Sequence, residues 1–381
     1  MVATFPASMD VRRVLLSGCR AVSTGFPDLS TPHPDILFAH GSPLAQGGSG
    51  TRHRYTFCSD NCSEVLNLKW RVLVSAPYMQ SPVLERFQQM FADNGIEVIV
   101  PPVHERMSAA ELLEWVGDID GVICGDDQFT EQVLRAAPHL KVISKWGTGI
   151  DSIDRAAAAR LGIAVCNSPG AFTMPVADTV LGYVLSLARR LPWMDRDMRA
   201  GRWKKAAGLA LAETTLGVIG VGNIGKAVVR RALAFGMRVL GNDVVQMPSE
   251  FLSETGIEMM AKDELLAQAD FVSLNCDLNP TSFHLMDERE FALMKPTAAV
   301  VNTARGPIIA EPALVRALQD AVIAGAALDV FEVEPLPADS PLRRLDNVLL
   351  APHNANSSPA AWERVHQNTI QNLLAELHAR A

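Results

Sequence analysis

From "KWRVLVSAPY" onward the chain alternates short apolar runs with stretches of helical period. The runs at Val72–Ser75, Ile96–Val100, Gly121–Cys124, Val142–Lys145 and Ala164–Cys166 read as buried strands, too short for helices and rich in β-branched residues. Between them lie segments such as "SPVLERFQQMFADNG", with helical spacing and a terminal glycine stop. A long amphipathic stretch, Pro175 to Gly201, leads into a second alternating run. Its strands are expected at Thr215–Ile219, Arg238–Asn242, Phe271–Leu274, Ala298–Asn302, Ala324–Leu328 and Val348–Leu350. The closing "PAAWERVHQNTIQNLLAELHA" reads as a helix that returns to the first unit. Such alternation predicts βαβ units: two α/β units, each a parallel sheet covered by helices, with a ligand cleft between them.

Residues 1–68 break this pattern. They are rich in Ser, Gly, Pro and His and keep no sustained period, so an irregular N-terminal extension, dispensable for turnover, is expected. Cys58 and Cys62, with Cys19 and His53 nearby, offer one close pair of zinc ligands and no second, so they read as free thiols and no metal is expected.

Composition narrows the class. The 381 residues are 48% hydrophobic and 20% charged, ordinary for globular domains. The net charge of −8 disfavours nucleic acid and anionic membranes as partners. No run approaches the roughly 18 apolar residues of a membrane span. Six scattered cysteines and the lack of a secretory signal pattern point to a reducing, cytoplasmic setting.

"TTLGVIGVGNIGKAVVRRA" fits strand, glycine turn and helix. Gly220 permits the tight turn, Gly222 leaves room for a pyrophosphate, and Gly225 lets the helix pack on the strand. Free N–H groups at the helix start, on Asn223 and Ile224, suit a phosphate. Asp243, 18 positions after Gly225, closes the next strand and offers a carboxylate to a ribose 2′-hydroxyl, with no neighbouring cation for a 2′-phosphate. NAD is therefore expected over NADP.

Three further residues follow strands: Arg305 in "VVNTARGPII", Glu334 in "GAALDVFEVEPL" and His353 in "NVLLAPHNANSSP". In a parallel sheet such loops converge on the ligand crevice. Singly, each is equally a surface ion-pair partner, a solvated acid or a satisfied polar group.

With "KWGTGIDSID", "VGNIGKAV", "VNTARG", "ALDVFEVEP" and "LLAPH" in order, residues 70–381 resemble the D-isomer-specific 2-hydroxyacid dehydrogenases, the group that includes phosphoglycerate dehydrogenase. The resemblance implies a Rossmann NAD-binding domain, 173–351, inserted into a flavodoxin-like substrate domain, 69–172 and 352–381. It implies reversible hydride transfer between NADH and a 2-keto acid, with His353 as proton donor, Glu334 as its partner and Arg305 as the substrate clamp. It places Thr303 and Asp329 in the cofactor wall, Asp329 holding the nicotinamide amide. Lys145, Gly147, Thr148 and Gly149 would bind the substrate, the glycine-rich turn acting as an anion nest. A homodimer is implied by family analogy. A second reading is an NAD-binding corepressor-like protein of the same fold.

The chain departs from the phosphoglycerate dehydrogenase pattern where an arginine follows the third strand of the substrate domain. Here stand Gly125, Asp126 and Asp127, two acids expected to repel a phosphate. Asn354, Ala355 and Asn356 make the wall after His353 more polar, and Cys276–Asp277 replaces the usual threonine–proline.

Overall fold

A computed structural model describes residues 53–55 and 69–380. The possible metal ligands Cys19, Cys58 and Cys62 lie outside them, and among the described residues no group of His, Cys, Asp or Glu could hold a metal.

The first sheet has strands β1 (His53–Tyr55), β2 (Trp70–Val74), β3 (Ile96–Val100), β4 (Gly121–Cys124), β5 (Val142–Lys145) and β6 (Ala164–Cys166). Its order is β1-β3-β2-β4-β5-β6. β2 to β6 run parallel, and β1 pairs antiparallel with β3 through His53 opposite Val100 and Tyr55 opposite Val98. β1 corrects the expectation for residues 1–68, which held no strand. At three residues it is too short for alternation to register as a period.

The second sheet is wholly parallel. It contains β7 (Thr215–Ile219), β8 (Arg238–Asn242), β9 (Glu258–Met259), β10 (Phe271–Leu274), β11 (Ala299–Asn302), β12 (Gly325–Leu328) and β13 (Val348–Leu350). The order β13-β12-β11-β10-β7-β8-β9 reverses between β7 and β10, the switch point at which doubly wound sheets open a crevice. Every β10 and β11 residue is buried, as expected of a strand covered on both faces. β9, at two residues, is missing from the strands read in the sequence.

The amphipathic stretch from Pro175 is two helices, Thr173–Arg189 and Leu191–Arg199. Arg190 between them adopts the left-handed conformation (φ 55°), and Pro192 stands at the start of the second helix. Apolar periodicity runs through such a break because the break changes direction, not composition.

Phe172 and Val176, at the start of the longer helix, belong to the core of the first sheet, while Ala177, Val180, Leu181 and Val184 belong to that of the second. The chain returns to the first core at Ala355. The final helix, Pro359–Ala379, is capped by Ser358 and lies against β4, β5 and β6. Its Leu373 and Leu377 are fully buried, each contributing roughly 1.5–3 kcal/mol by leaving water. Ser144 Oγ donates to the Thr369 carbonyl (2.7 Å), pinning the helix over the strand that ends in Lys145. No helix among the described residues is long and apolar enough to cross a membrane.

Candidate active site

One cleft collects loops from the C-terminal ends of both sheets. Its lining includes Tyr78, Glu105, Asp126, Lys145, Gly147, Thr148, Gly149, Asp151, Ile224, Cys276, Thr303, Arg305, Asp329 and His353. Parallel strands end on the same side, so residues far apart in sequence meet there.

Arg305 follows β11 on a turn shaped by buried Asn302. The Asn302 side chain accepts from Ala304 N (3.0 Å) and donates to the Arg305 carbonyl (2.9 Å). Arg305 Nε donates to Asp151 Oδ1 and Oδ2 (3.0 and 3.2 Å), and Nη1 donates to the Ala304 carbonyl (2.8 Å). Nη2 stands 3.9 Å from Asp126 Oδ1 and, among the described residues, donates no hydrogen bond. The guanidinium is thus anchored on one edge and open on the other. Burial pulls its pKa down, but Asp126 and Asp151 outweigh this and leave it raised.

His353 follows β13. Its Nδ1 lies 3.1 Å from Glu334 Oε2, and Glu334 Oε1 accepts from Phe331 N (2.9 Å). A carboxylate only accepts, so Nδ1 carries the proton of that bond and Nε2 is left for the cleft. Burial lowers the imidazole pKa, yet the hydrogen bond and charge of Glu334 outweigh it, so His353 stands above its ordinary value. Burial raises Glu334, and the His353 bond and charge more than reverse this. Each partner thus favours the charged form of the other.

On the first sheet, Lys145 is buried at the end of β5. Its Nζ donates to the Trp146 carbonyl (3.1 Å) and lies 3.1 Å from Asp126 Oδ1. Burial raises the Asp126 pKa, but the charges of Lys145 and Arg305 reverse that and hold the group well below the usual carboxylate range. Beside it the backbone N–H groups of Gly147, Thr148 and Gly149 donate to no protein acceptor among the described residues. The Thr148 hydroxyl is turned away, donating to the Ser168 carbonyl (3.1 Å). A Cβ on Gly149 would stand 1.7 Å from Arg305 Nη2, so the guanidinium occupies space that only glycine leaves.

The expectation that Asp126 and Asp127 both face the ligand needs correction. Only Asp126 lines the cleft. Asp127 is fully buried and accepts from Ser75 Oγ (2.6 Å), Met107 N (2.6 Å) and Gly125 N (3.1 Å). Consecutive residues in a tight turn point apart, which composition alone does not convey. Likewise Asn356 and Ala355 line the cleft, Ala355 also belonging to the core of the first sheet, while Asn354 is exposed and stands outside the lining.

The glycine turn leaves a cradle on the second sheet. Gly220 has φ +85°, and a Cβ there would meet Cys276 N at 2.5 Å. A Cβ on Gly225 would meet the Gly220 carbonyl oxygen at 2.1 Å, whereas one on Gly222 meets nothing within 4 Å. The helix Asn223–Ala234 starts at Gly222 with no side-chain cap, so its first N–H groups face open space. Asp243 accepts from Val221 N (2.6 Å) and Val245 N (2.8 Å), tying the end of β8 to the turn. Thr303 Oγ1 is buried, faces the cleft and has no partner among the described residues. Open space at Gly222, free helix N–H groups and an orphaned hydroxyl fit a dinucleotide.

Asp329 is fully buried, and its carboxylate accepts from Asn354 N (2.9 Å) and Ala355 N (2.8 Å), with the Tyr183 hydroxyl at 3.4 Å. Its oxygens therefore hold the loop after β13, a task the sequence reading did not assign it. Asp151, Asn302, Tyr183 and Glu105 were also not assigned. The first two sit inside the "KWGTGIDSID" and "VNTARG" motifs, so a signal for them was present.

A family profile described as D-isomer specific 2-hydroxyacid dehydrogenase, NAD binding domain, matches residues 181–355. A glyoxylate reductase of Korarchaeum cryptofilum is 40% identical over 271 residues, 69% of this chain and 81% of that protein. The chain belongs to the D-isomer-specific 2-hydroxyacid dehydrogenase family. A D-3-phosphoglycerate dehydrogenase of Methanocaldococcus jannaschii is 42% identical over 259 residues, 67% of this chain but 49% of that protein, so this chain matches about half of its length. The crystal structure of a D-lactate dehydrogenase from Aquifex aeolicus complexed with NAD and lactic acid superposes with a TM-score of 0.74 at 27% identity, covering 81% of this chain and 96% of that one. As a family member the chain is an NAD-dependent oxidoreductase acting on a CH–OH group.

Proposed function

We propose that the enzyme reduces a small, unphosphorylated 2-keto acid to the D-2-hydroxy acid, reversibly, in a cleft between a substrate domain (69–172 and 352–381) and the NAD-binding domain (173–351). The observation that carries this is the meeting of Arg305, the His353–Glu334 pair and the glycine-rich turn after Lys145 on one cleft. When bound, the nicotinamide supplies the hydride for reduction and takes it back in oxidation. The chain's own residues do the rest.

Arg305 Nη2 and the N–H groups of Gly147, Thr148 and Gly149 bind and orient the substrate carboxylate or keto oxygen. His353 Nε2 donates a proton to the carbonyl oxygen during reduction and recovers it during oxidation. Glu334 favours the charged imidazole and fixes which nitrogen faces the substrate. Asp151 positions Arg305. Gly220, Gly222, Asn223, Ile224 and Gly225 cradle the pyrophosphate, Asp243 accepts from the ribose, and Thr303 and Asp329 face the nicotinamide end. Asp126 already answers the charge of Lys145 and lies near Arg305, so little positive charge remains for a second anion such as a phosphate. Exposed Leu191, Met198 and Trp203 on and after the second half of the broken helix support a homodimer through the NAD-binding domain of a cytosolic enzyme.

The test is NADH oxidation against a panel of 2-keto acids, phosphorylated and not. His353→Ala is expected to lower turnover by about 10²- to 10⁴-fold. Absence of turnover with every keto acid would favour the NAD-binding regulatory alternative. A marked preference for 3-phosphohydroxypyruvate would overturn the exclusion of phosphate.

A further inference from the structure

Among the described residues, the buried and half-buried charged side chains lining the cleft are met by an ion pair or a hydrogen bond with one exception, exposed Asp277 apart. Lys145 is answered by Asp126, Arg305 by Asp151, and His353 by Glu334. Glu105, half-buried on the loop after β3, faces the same cleft with no hydrogen bond or ion pair among the described residues. The loop is nevertheless held immediately after it. Arg106 Nη2 donates to the Glu334 carbonyl (3.3 Å), and Met107 N donates to Asp127 Oδ1 (2.6 Å). A held but unpaired carboxylate is an acceptor organised in advance for something the protein does not supply.

Its surroundings narrow what that is. Tyr78, which lines the cleft, stacks on Trp146 (centroids 5.0 Å apart) and lies 5.2 Å from Trp362, giving the cleft an aromatic wall that favours a cation or a polarised O–H over an anion. Burial and the nearby charges of Glu334 and Asp126 raise the Glu105 pKa against the pull of His353, so a proton-donating ligand relieves a carboxylate that is costly to leave bare.

We propose that Glu105 determines specificity: its carboxylate selects 2-keto acids whose side chain ends in a hydrogen-bond donor, a hydroxyl or a basic nitrogen. It selects against alkyl ends and second anions. This rests on the 2-keto acid reading above and adds the chemistry of the substrate side chain.

The experiment compares kcat/KM of wild type, Glu105→Gln and Glu105→Ala on hydroxypyruvate, 2-oxobutanoate (its isostere with methyl for hydroxyl), oxaloacetate and a 2-keto acid ending in guanidinium. Wild type should favour hydroxypyruvate over 2-oxobutanoate about tenfold or more, carried mainly by KM, and use oxaloacetate worst. Glu105→Ala should bring the first ratio close to one. Glu105→Gln, which keeps an acceptor oxygen but no charge, should retain the hydroxyl preference and lose any guanidinium preference, and so tells the two donors apart. Ratios indifferent to residue 105, or oxaloacetate used as well as hydroxypyruvate by wild type, overturn this inference while leaving the dehydrogenase reading intact. Failure to reduce any 2-keto acid overturns both.

Discussion

Asp329 fixes His353 through the backbone. The Asp329 carbonyl accepts the His353 N–H at 2.7 Å, while the Asp329 carboxylate takes the next two N–H groups of the same loop. These bonds hold His353 at φ +50°, a left-handed conformation uncommon for a residue with a side chain. The imidazole is aimed by a buried acid that never touches it.

Asp329→Asn should therefore damage catalysis from a distance. An amide offers one oxygen and one NH₂ where two N–H donors must be met, leaving one donor facing another. The cost in stability should be about 1–3 kcal/mol, read from the urea midpoint. Turnover should fall about 10²-fold as His353 shifts. Unchanged turnover with only the stability loss would show that the loop aims His353 without this clamp.

Glu334→Gln should move the pH profile of reduction. Reduction needs protonated His353, so the rate falls as pH rises through the His353 pKa. Burial lowers that pKa and Glu334 raises it above its ordinary value. Removing the carboxylate lets burial prevail, and the alkaline limb of kcat/KM should shift to lower pH. A limb that stays in place, or moves upward, would contradict the pairing.

Two glycine-to-alanine variants should fail in different ways. At Gly149 the added methyl meets the side-chain end of Arg305 and not backbone, so the fold should survive while kcat/KM for keto acid drops about 10²-fold. At Gly225 it meets the Gly220 carbonyl oxygen, which is backbone, so both the melting temperature and NADH binding should fall. Thermal melts and NADH fluorescence titration separate the two.

Asp243→Ala should narrow the preference for NADH over NADPH, since it removes the acceptor for a ribose hydroxyl and the repulsion of a phosphate. Because Asp243 also accepts from Val221 N and Val245 N, the variant should in addition melt earlier. Steady-state kinetics with both cofactors measures the first effect. A wild type that prefers NADPH would refute the assignment.

The parallel strands were legible because strands buried on both faces must be continuously apolar. Ile96–Val100 and Phe271–Leu274 were read with the bounds they have in the structure. The helix break at Arg190 was not, since it leaves the apolar spacing intact. Within the site, Arg305, Glu334 and His353 could be named because strand ends converge and because five motifs stand in order. Orientation is what sequence withholds: Asp126 and Asp127 are neighbours of the same type, yet one salt-bridges Lys145 in the cleft and the other is buried beneath Ser75. Nor could a resemblance assign Glu105, whose interest lies in lacking a partner among the described residues.

β1 brings a last consequence. With it in place, β3 is an interior strand, its outer row of amides covered by antiparallel pairing. A chain cut back to Lys69 would bare that row, creating a sticky margin on which another molecule could zip up. The leader that looked disposable would then act as a guard against self-association, so its loss should appear first in light scattering, before any change in the rate per folded molecule.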